Sequence, residues 1–188
     1  MRDFKGKAAV VTGGASGIGK AMAERFAQEG MTVVLADFER DALSATEADF
    51  KAREHKVLAV WTDVSKPESV EGLADTVRRE FGAPAVLCNN AGVVAESDLG
   101  MSNPKRMWEL SLKEWHWTFD VNFWGVVHGI RAFVPAMVES GQDAHIVNTA
   151  SIAGLTSGAA LPIYGATKHG VVRITEALNF QLQAVQSK

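Results

Sequence analysis

Short apolar runs recur along this chain, each followed by a longer segment of helical periodicity, and that alternation limits the fold more than any other feature. A run buried on both faces belongs in a parallel sheet, and parallel strands need a crossover, usually a helix, between them. The pattern therefore predicts βαβ units. Strands are expected over 7–12, 31–36, 57–62, 85–88 and 145–148. Helices are expected over about 18–29, closed by Gly30, about 39–54, from Lys66-Pro67-Glu68 to Phe81-Gly82, about 112–138, and from Pro162 towards Gln186. The stretch from Gly92 to Glu109 reads as loop. No linker, internal repeat or low-complexity tract breaks the order, so residues 1–188 are expected to form one α/β domain. Its architecture is a doubly wound, Rossmann-type parallel sheet with helices on both faces.

Length and composition agree, since 188 residues at 47% hydrophobic and 22% charged suffice for one soluble core. With a formal net charge of -3 there is no basic field to attract nucleic acid or anionic lipid, and neither is expected as a partner. The one cysteine, Cys88, lies in the apolar run Ala85-Val86-Leu87-Cys88, where it cannot form an internal disulfide. A reducing, cytoplasmic location is expected. The N-terminus enters the first strand directly, with no apolar stretch of signal-peptide or membrane-spanning length ahead of it.

Between the first strand and first helix stands Thr12-Gly13-Gly14-Ala15-Ser16-Gly17-Ile18-Gly19. Backbone N–H groups and the helix dipole at such a turn can meet a dinucleotide pyrophosphate. The spacing Gly13, Gly17, Gly19 is not the general G-x-G-x-x-G, and a tight turn without a ligand is the competing reading. Asp37, just past the second strand, can accept hydrogen bonds from the adenosine ribose; its other role would be to cap the next helix. A carboxylate there repels the extra phosphate of NADP, so NAD is the expected cofactor, with nearby Arg40 keeping NADP as the lesser alternative.

The motifs Thr12-Gly13-x-x-x-Gly17-x-Gly19, Asn89-Asn90-Ala91-Gly92, Asn122, Ser151 and Tyr164-x-x-x-Lys168 occur in one order. In that order the chain resembles the short-chain dehydrogenase/reductase (SDR) family. The resemblance implies a nicotinamide-dependent oxidoreductase that moves hydride between the cofactor and an alcohol or ketone. It implies cofactor contacts from Gly13, Ser16, Gly17, Ile18, Gly19 and Asp37, with Asp63 and Val64 at the adenine. Asn90, Ala91 and Gly92 would line the pocket beyond the fourth strand. Tyr164 and Lys168 would join them, Lys168 by bonding the nicotinamide ribose.

Tyr164 and Lys168 stand four apart on a predicted helix, so their side chains share a face. A unit positive charge about 5 Å from a phenol favours its ionised form by roughly 3 kcal/mol at an effective dielectric of about 20. That is the physical basis for Tyr164 as general acid/base. Ser151 follows the fifth strand, at the sheet edge where ligands of such folds bind, and its hydroxyl can polarise a carbonyl. By the resemblance, Asn122 completes a tetrad by ordering a water chain to Lys168. The resemblance also implies a homodimer or homotetramer through the 112–138 and Tyr164 helices.

Val94, Leu99, Met101, Met107 and Trp108 suggest a small apolar alcohol or ketone as substrate. Trp108, Trp115, Trp117 and Trp124 with Phe119 and Phe123 are expected in the core or in helix pairing. His55, His116, His128, His145 and His169 show no metal-binding spacing, and no metal is expected. Family members continue beyond the Tyr164 helix, whereas this sequence ends at Lys188. Truncation there would leave the fifth strand with an open edge and remove the substrate lid. The competing function is a truncated, non-catalytic protein that binds NAD or pairs through its helices.

Overall fold

The computed structural model describes residues 4–99 and 105–186, which gather into two compact units. The first contains the chain up to Ala91 together with Gly125–Val147. Its strands β1 (Ala8–Thr12), β2 (Thr32–Asp37), β3 (Val57–Trp61), β4 (Val86–Asn89) and β5 (His145–Asn148) form one sheet in the order β3-β2-β1-β4-β5. The registered pairs β1–β2, β1–β4 and β2–β3 are all parallel. Helices α1 (Gly17–Gln28), α2 (Arg40–Ala52) and α3 (Pro67–Phe81) follow the first three strands. The order reverses between β1 and β4, which opens a crevice at the carboxyl ends of those two strands.

Every residue of β1 and of β4 is buried, which is why these strands read as unbroken apolar runs rather than alternating ones. Ala9, Val11, Val33, Leu35, Val86 and Cys88 share one core with Ala23 and Ala27 of α1 and Leu43 and Phe50 of α2. The alternate residues Val10, Val34 and Leu87 are also fully buried, and the strand period of two sends them to the opposite face. There α6 (Gly125–Glu139) packs on β4 and α3 packs on α6. The sheet is thus doubly wound, as expected.

The second unit comprises Gly92–Trp124 and the chain from Asn148 onward. It holds the short α4 (Glu96–Leu99), α5 (Leu112–Phe119) and the long α7 (Pro162–Gln186), with one-turn 3₁₀ helices at Met107–Glu109 and Ile152–Gly154. α7 packs on α4, α5 and the Ile152–Gly154 turn. Ser111 starts α5 with a reciprocal cap, its hydroxyl accepting from the Glu114 N–H. Hydrogen bonds from Ser97, then Ser111, hold the Glu114 carboxyl down to about 2.

Two expectations change. The second strand begins and ends one residue later than 31–36, so Asp37 is its last residue rather than the first beyond it. Met31 is held instead by the end of α1, its N–H bonded to the Phe26 carbonyl at 3.1 Å. The single helix expected over 112–138 is interrupted by a π-helical turn at Asp120–Trp124, and Asn122 sits inside it. The helical run Leu112–Glu139 is long and apolar enough to cross a membrane by length and composition alone. Its α6 part buries Val126, Phe133, Val134 and Met137, which is the behaviour of a core helix. Trp108, Trp117 and Trp124 are exposed, which leaves helix pairing as the role open to them, while Trp115 stacks on Phe119 at 6.1 Å. Met101 lies outside the described residues.

Cys88 is fully buried in β4, and burial pushes its thiol up to about 12. The folded chain is therefore expected to resist a thiol reagent at pH 8 and to react with one equivalent after denaturation; rapid labelling of the native protein would contradict this placement.

Candidate active site

In the first unit the crevice is built around Thr12, the last residue of β1. Its hydroxyl donates to the Cys88 carbonyl at 3.3 Å and accepts from the Asn90 and Ala91 N–H groups at 2.9 and 3.1 Å. The Asn90 amide donates back to the Thr12 carbonyl at 3.1 Å. These bonds fasten the segment after β4 to the glycine turn. Within the turn Gly13 has φ +64°, and a Cβ on Gly19 would lie 1.9 Å from the Gly13 carbonyl oxygen, so no other residue fits there.

Gly17, at φ +51°, has nothing within 4 Å of where a Cβ would stand. Ser16 precedes α1 without spending its hydroxyl on a cap, and the first turn of α1 carries no acidic residue. Ile18 is exposed beside it. Open N–H groups, a free hydroxyl and an uncompensated helix dipole fit a dinucleotide pyrophosphate.

Asp37 closes the turn from β2. One carboxylate oxygen accepts the Ala15 N–H at 2.9 Å and the other the Glu39 N–H at 3.0 Å. Asp37 therefore braces the glycine turn and the entry to α2, while the N-cap position belongs to Glu39. Thr46 adds a second tie, donating to the Ala15 carbonyl at 2.9 Å. Asp63 folds a local turn, accepting from the Ser65 N–H at 3.0 Å and hydroxyl at 2.7 Å. Val64 is buried against Gly125.

The second unit contains all four expected catalytic residues, together with Gly92, which is exposed. Tyr164 and Lys168 lie on α7, and the Lys168 ammonium stands 5.5 Å from the Tyr164 ring centroid. Lys168 is only 3% exposed, donates to the Thr149 carbonyl at 2.7 Å, and is held below the ordinary lysine pKa by that burial. Ser151 begins the Ile152–Gly154 turn, its hydroxyl accepting the Ala153 N–H at 3.2 Å. A Cβ on Gly154 would approach the Lys168 carbonyl to 2.6 Å, so this turn lies directly on α7.

Asn122 is fully buried, and its amide is committed elsewhere than to Lys168. Its oxygen accepts the Val93 N–H at 2.7 Å, and its nitrogen donates to the Val93 carbonyl at 2.8 Å and to Thr167 at 3.3 Å. Thr167 in turn donates to the Tyr164 carbonyl at 2.7 Å.

One residue of this unit escaped the sequence reading. Asp98 of α4 is 4% exposed, and its two carboxylate oxygens accept the Ile163 and Tyr164 N–H groups at 3.1 and 2.8 Å. It caps the first turn of α7 from a distant segment, a satisfying position for a carboxylate at a helix N-terminus. Nothing around position 98 marks this, because the partner is 65 residues away.

A doubly wound sheet with a glycine turn at its switch point and a Tyr-x-x-x-Lys helix defines a class of nucleotide-dependent oxidoreductase. The short chain dehydrogenase family model matches residues 7–186, and the chain belongs to that family. It is 42% identical over 177 residues to the 1-deoxy-11-beta-hydroxypentalenate dehydrogenase of Streptomyces exfoliatus, covering 94% of this chain and 62% of that protein. It is 35% identical to the 3beta-hydroxysteroid dehydrogenase 2 of Eggerthella lenta, covering 93% of this chain and 65% of the relative. A short chain dehydrogenase/reductase from Burkholderia phymatum, solved in complex with NAD, superposes with TM-score 0.91 at 45% identity. That match covers 98% of this chain and 63% of the other. The chain thus spans less than two thirds of the length of these relatives.

Replacing Asp98 by Ala is expected to lower stability by roughly 2 kcal/mol in urea denaturation, the scale of a lost cap with buried donors left unpaired. Amide exchange at Ile163 and Tyr164 should quicken first; unchanged protection at both would refute the cap.

Proposed function

We propose that this chain forms the cofactor-binding and proton-transferring part of an oxidoreductase that interconverts an alcohol and a ketone using NAD. The observation that carries the reading is the buried Lys168 ammonium, fixed on the Thr149 carbonyl and set over the Tyr164 ring. A charge so placed can assist proton transfer at the Tyr164 oxygen, and its burial limits the screening that water would provide. A bound nicotinamide dinucleotide supplies the hydride acceptor or donor. Tyr164 takes the hydroxyl proton when the substrate is oxidised and returns one when a ketone is reduced. Ser151 hydrogen-bonds the same substrate oxygen, and Asn122 holds Val93 and Thr167 in place beside the pair.

NAD is favoured over NADP by the Asp37 carboxylate, whose charge suits ribose hydroxyls and opposes a phosphate. Gly13, Ser16, Gly17, Ile18 and Gly19 would face the pyrophosphate, Asp63 and Val64 the adenine, and Asn90, Ala91 and Gly92 the remainder of the cofactor. A small apolar substrate agrees with the exposed Leu99, Met107 and Trp108, and with relatives named for pentalenate and steroid chemistry. A lone buried thiol suits the cytoplasm.

Exposed Trp117, Trp124 and Phe180 on the helices of the second unit support pairing between copies. Light scattering is expected to give a dimer or tetramer, and a single-copy mass at every concentration would count against it. Tyr164→Phe, which keeps the ring, is expected to retain NAD binding and to lose at least about a hundredfold in turnover across a panel of apolar alcohols and ketones. Undiminished turnover would sink the acid/base assignment. NAD binding with no turnover in the parent chain would leave a nucleotide-binding protein.

A further inference from the structure

Arg40 opens α2 three residues beyond Asp37. It is not spent on that carboxylate. Among the described residues neither Asp37 nor Arg40 forms an ion pair, and both Asp37 oxygens accept backbone N–H groups. Instead the Arg40 guanidinium carbon lies 4.3 Å from the centre of the Trp61 ring, well inside cation–π range.

Trp61 is itself fixed. It ends β3 as the register partner of Asp37, so its backbone stands beside the end of β2. Its indole N–H donates to the Phe38 carbonyl at 2.8 Å, and the Phe38 ring packs against it at 5.8 Å. The indole is thereby held at its polar end and on its surface, leaving a face for the guanidinium. A cation that could neutralise Asp37, or bind a phosphate next to it, is drawn onto an aromatic ring instead.

We infer that Trp61 is a cofactor-specificity residue: by holding Arg40 on its ring it keeps the Asp37 carboxylate unneutralised and selects a dinucleotide whose adenosine ribose carries a free 2′-hydroxyl over one bearing a 2′-phosphate. The inference rests on the dinucleotide reading of the glycine turn and adds a determinant outside it. Asp37 alone repels the phosphate; Trp61 removes a cation, Arg40, able to offset that repulsion.

The test is calorimetric titration of the folded chain and its variants with NAD and with NADP, which differ only in the 2′-phosphate and whose binding is read without turnover. The parent should bind NAD more tightly. Trp61→Ala should shift the NADP-to-NAD affinity ratio towards NADP by about two- to fivefold, the scale of an exposed cation–π contact. Trp61→Leu, which keeps apolar cover over the edge strand, should do the same if the alanine variant fails to fold. Trp61→Phe, which keeps a ring face, should shift the ratio less.

Arg40→Ala alone should leave the ratio unchanged, and added to Trp61→Ala it should abolish the shift. Three results would overturn the inference: an unchanged ratio in both Trp61→Ala and Trp61→Leu, a shift that survives removal of Arg40, or weaker NADP binding in Arg40→Ala alone. The last would mean that Arg40 already meets the phosphate. If the parent binds neither dinucleotide, the reading of the turn itself falls and the inference falls with it, which separates that failure from the other three.

Discussion

Thr12 ends the central strand with its hydroxyl shared among the Cys88 carbonyl and the N–H groups of Asn90 and Ala91. A buried hydroxyl so completely satisfied is a rigid joint, because losing any bond would leave a polar group unpaired away from water. It lies where the sheet order reverses, between β1 and β4, and Asn90 closes the joint from the other side. The glycine turn depends on it. Gly13 passes close to Ala91 across this joint, and Gly19 lies close to the Gly13 carbonyl within the turn. Asp37 and Thr46 then tie Ala15 from β2 and α2, so the turn is braced from three directions while Gly17 remains open.

The second unit is organised by a comparable economy of polar groups. α7 presents its first N–H groups to Asp98, its Tyr164 carbonyl to Thr167, and its Lys168 ammonium to Thr149. Asn122 acts within the π turn as a surrogate strand, pairing with both the N–H and the carbonyl of Val93. Each bond fixes the rotation or axial position of the helix that carries Tyr164. Preorganisation of this kind matters for acid/base chemistry because proton transfer tolerates little error in distance. Lys168 rests its ammonium on the Thr149 carbonyl and is kept from water, at the cost of a depressed pKa.

Much of this was legible beforehand, and the reasons are local. The expected strands match the observed ones to within a residue at each end, because a strand buried on both faces announces itself as an apolar run. The start of α3 at Pro67 and its end before Gly82 were readable from residues whose backbone preferences act in place. The π turn was not readable, since it answers to the burial of Asn122 and its bonds to Val93 rather than to helical propensity. The exposure of Trp108, Trp117 and Trp124 was hidden for a similar reason: an aromatic stripe at helical spacing says nothing about what lies opposite.

The sequence by itself determined the βαβ order, the glycine turn, the acidic residue at the end of β2 and the four-residue spacing of Tyr164 and Lys168. Each depends on neighbours along the chain and on fixed helical or strand periods. Only the tertiary structure decided that Asp98 caps α7, that Asn122 spends its amide on Val93, and that Arg40 lies on Trp61 instead of pairing with Asp37. Those choices join residues from 21 to 66 positions apart. At such separations a side chain's partner is chosen by how burial and hydrogen bonding are satisfied in three dimensions, and no local pattern records the outcome.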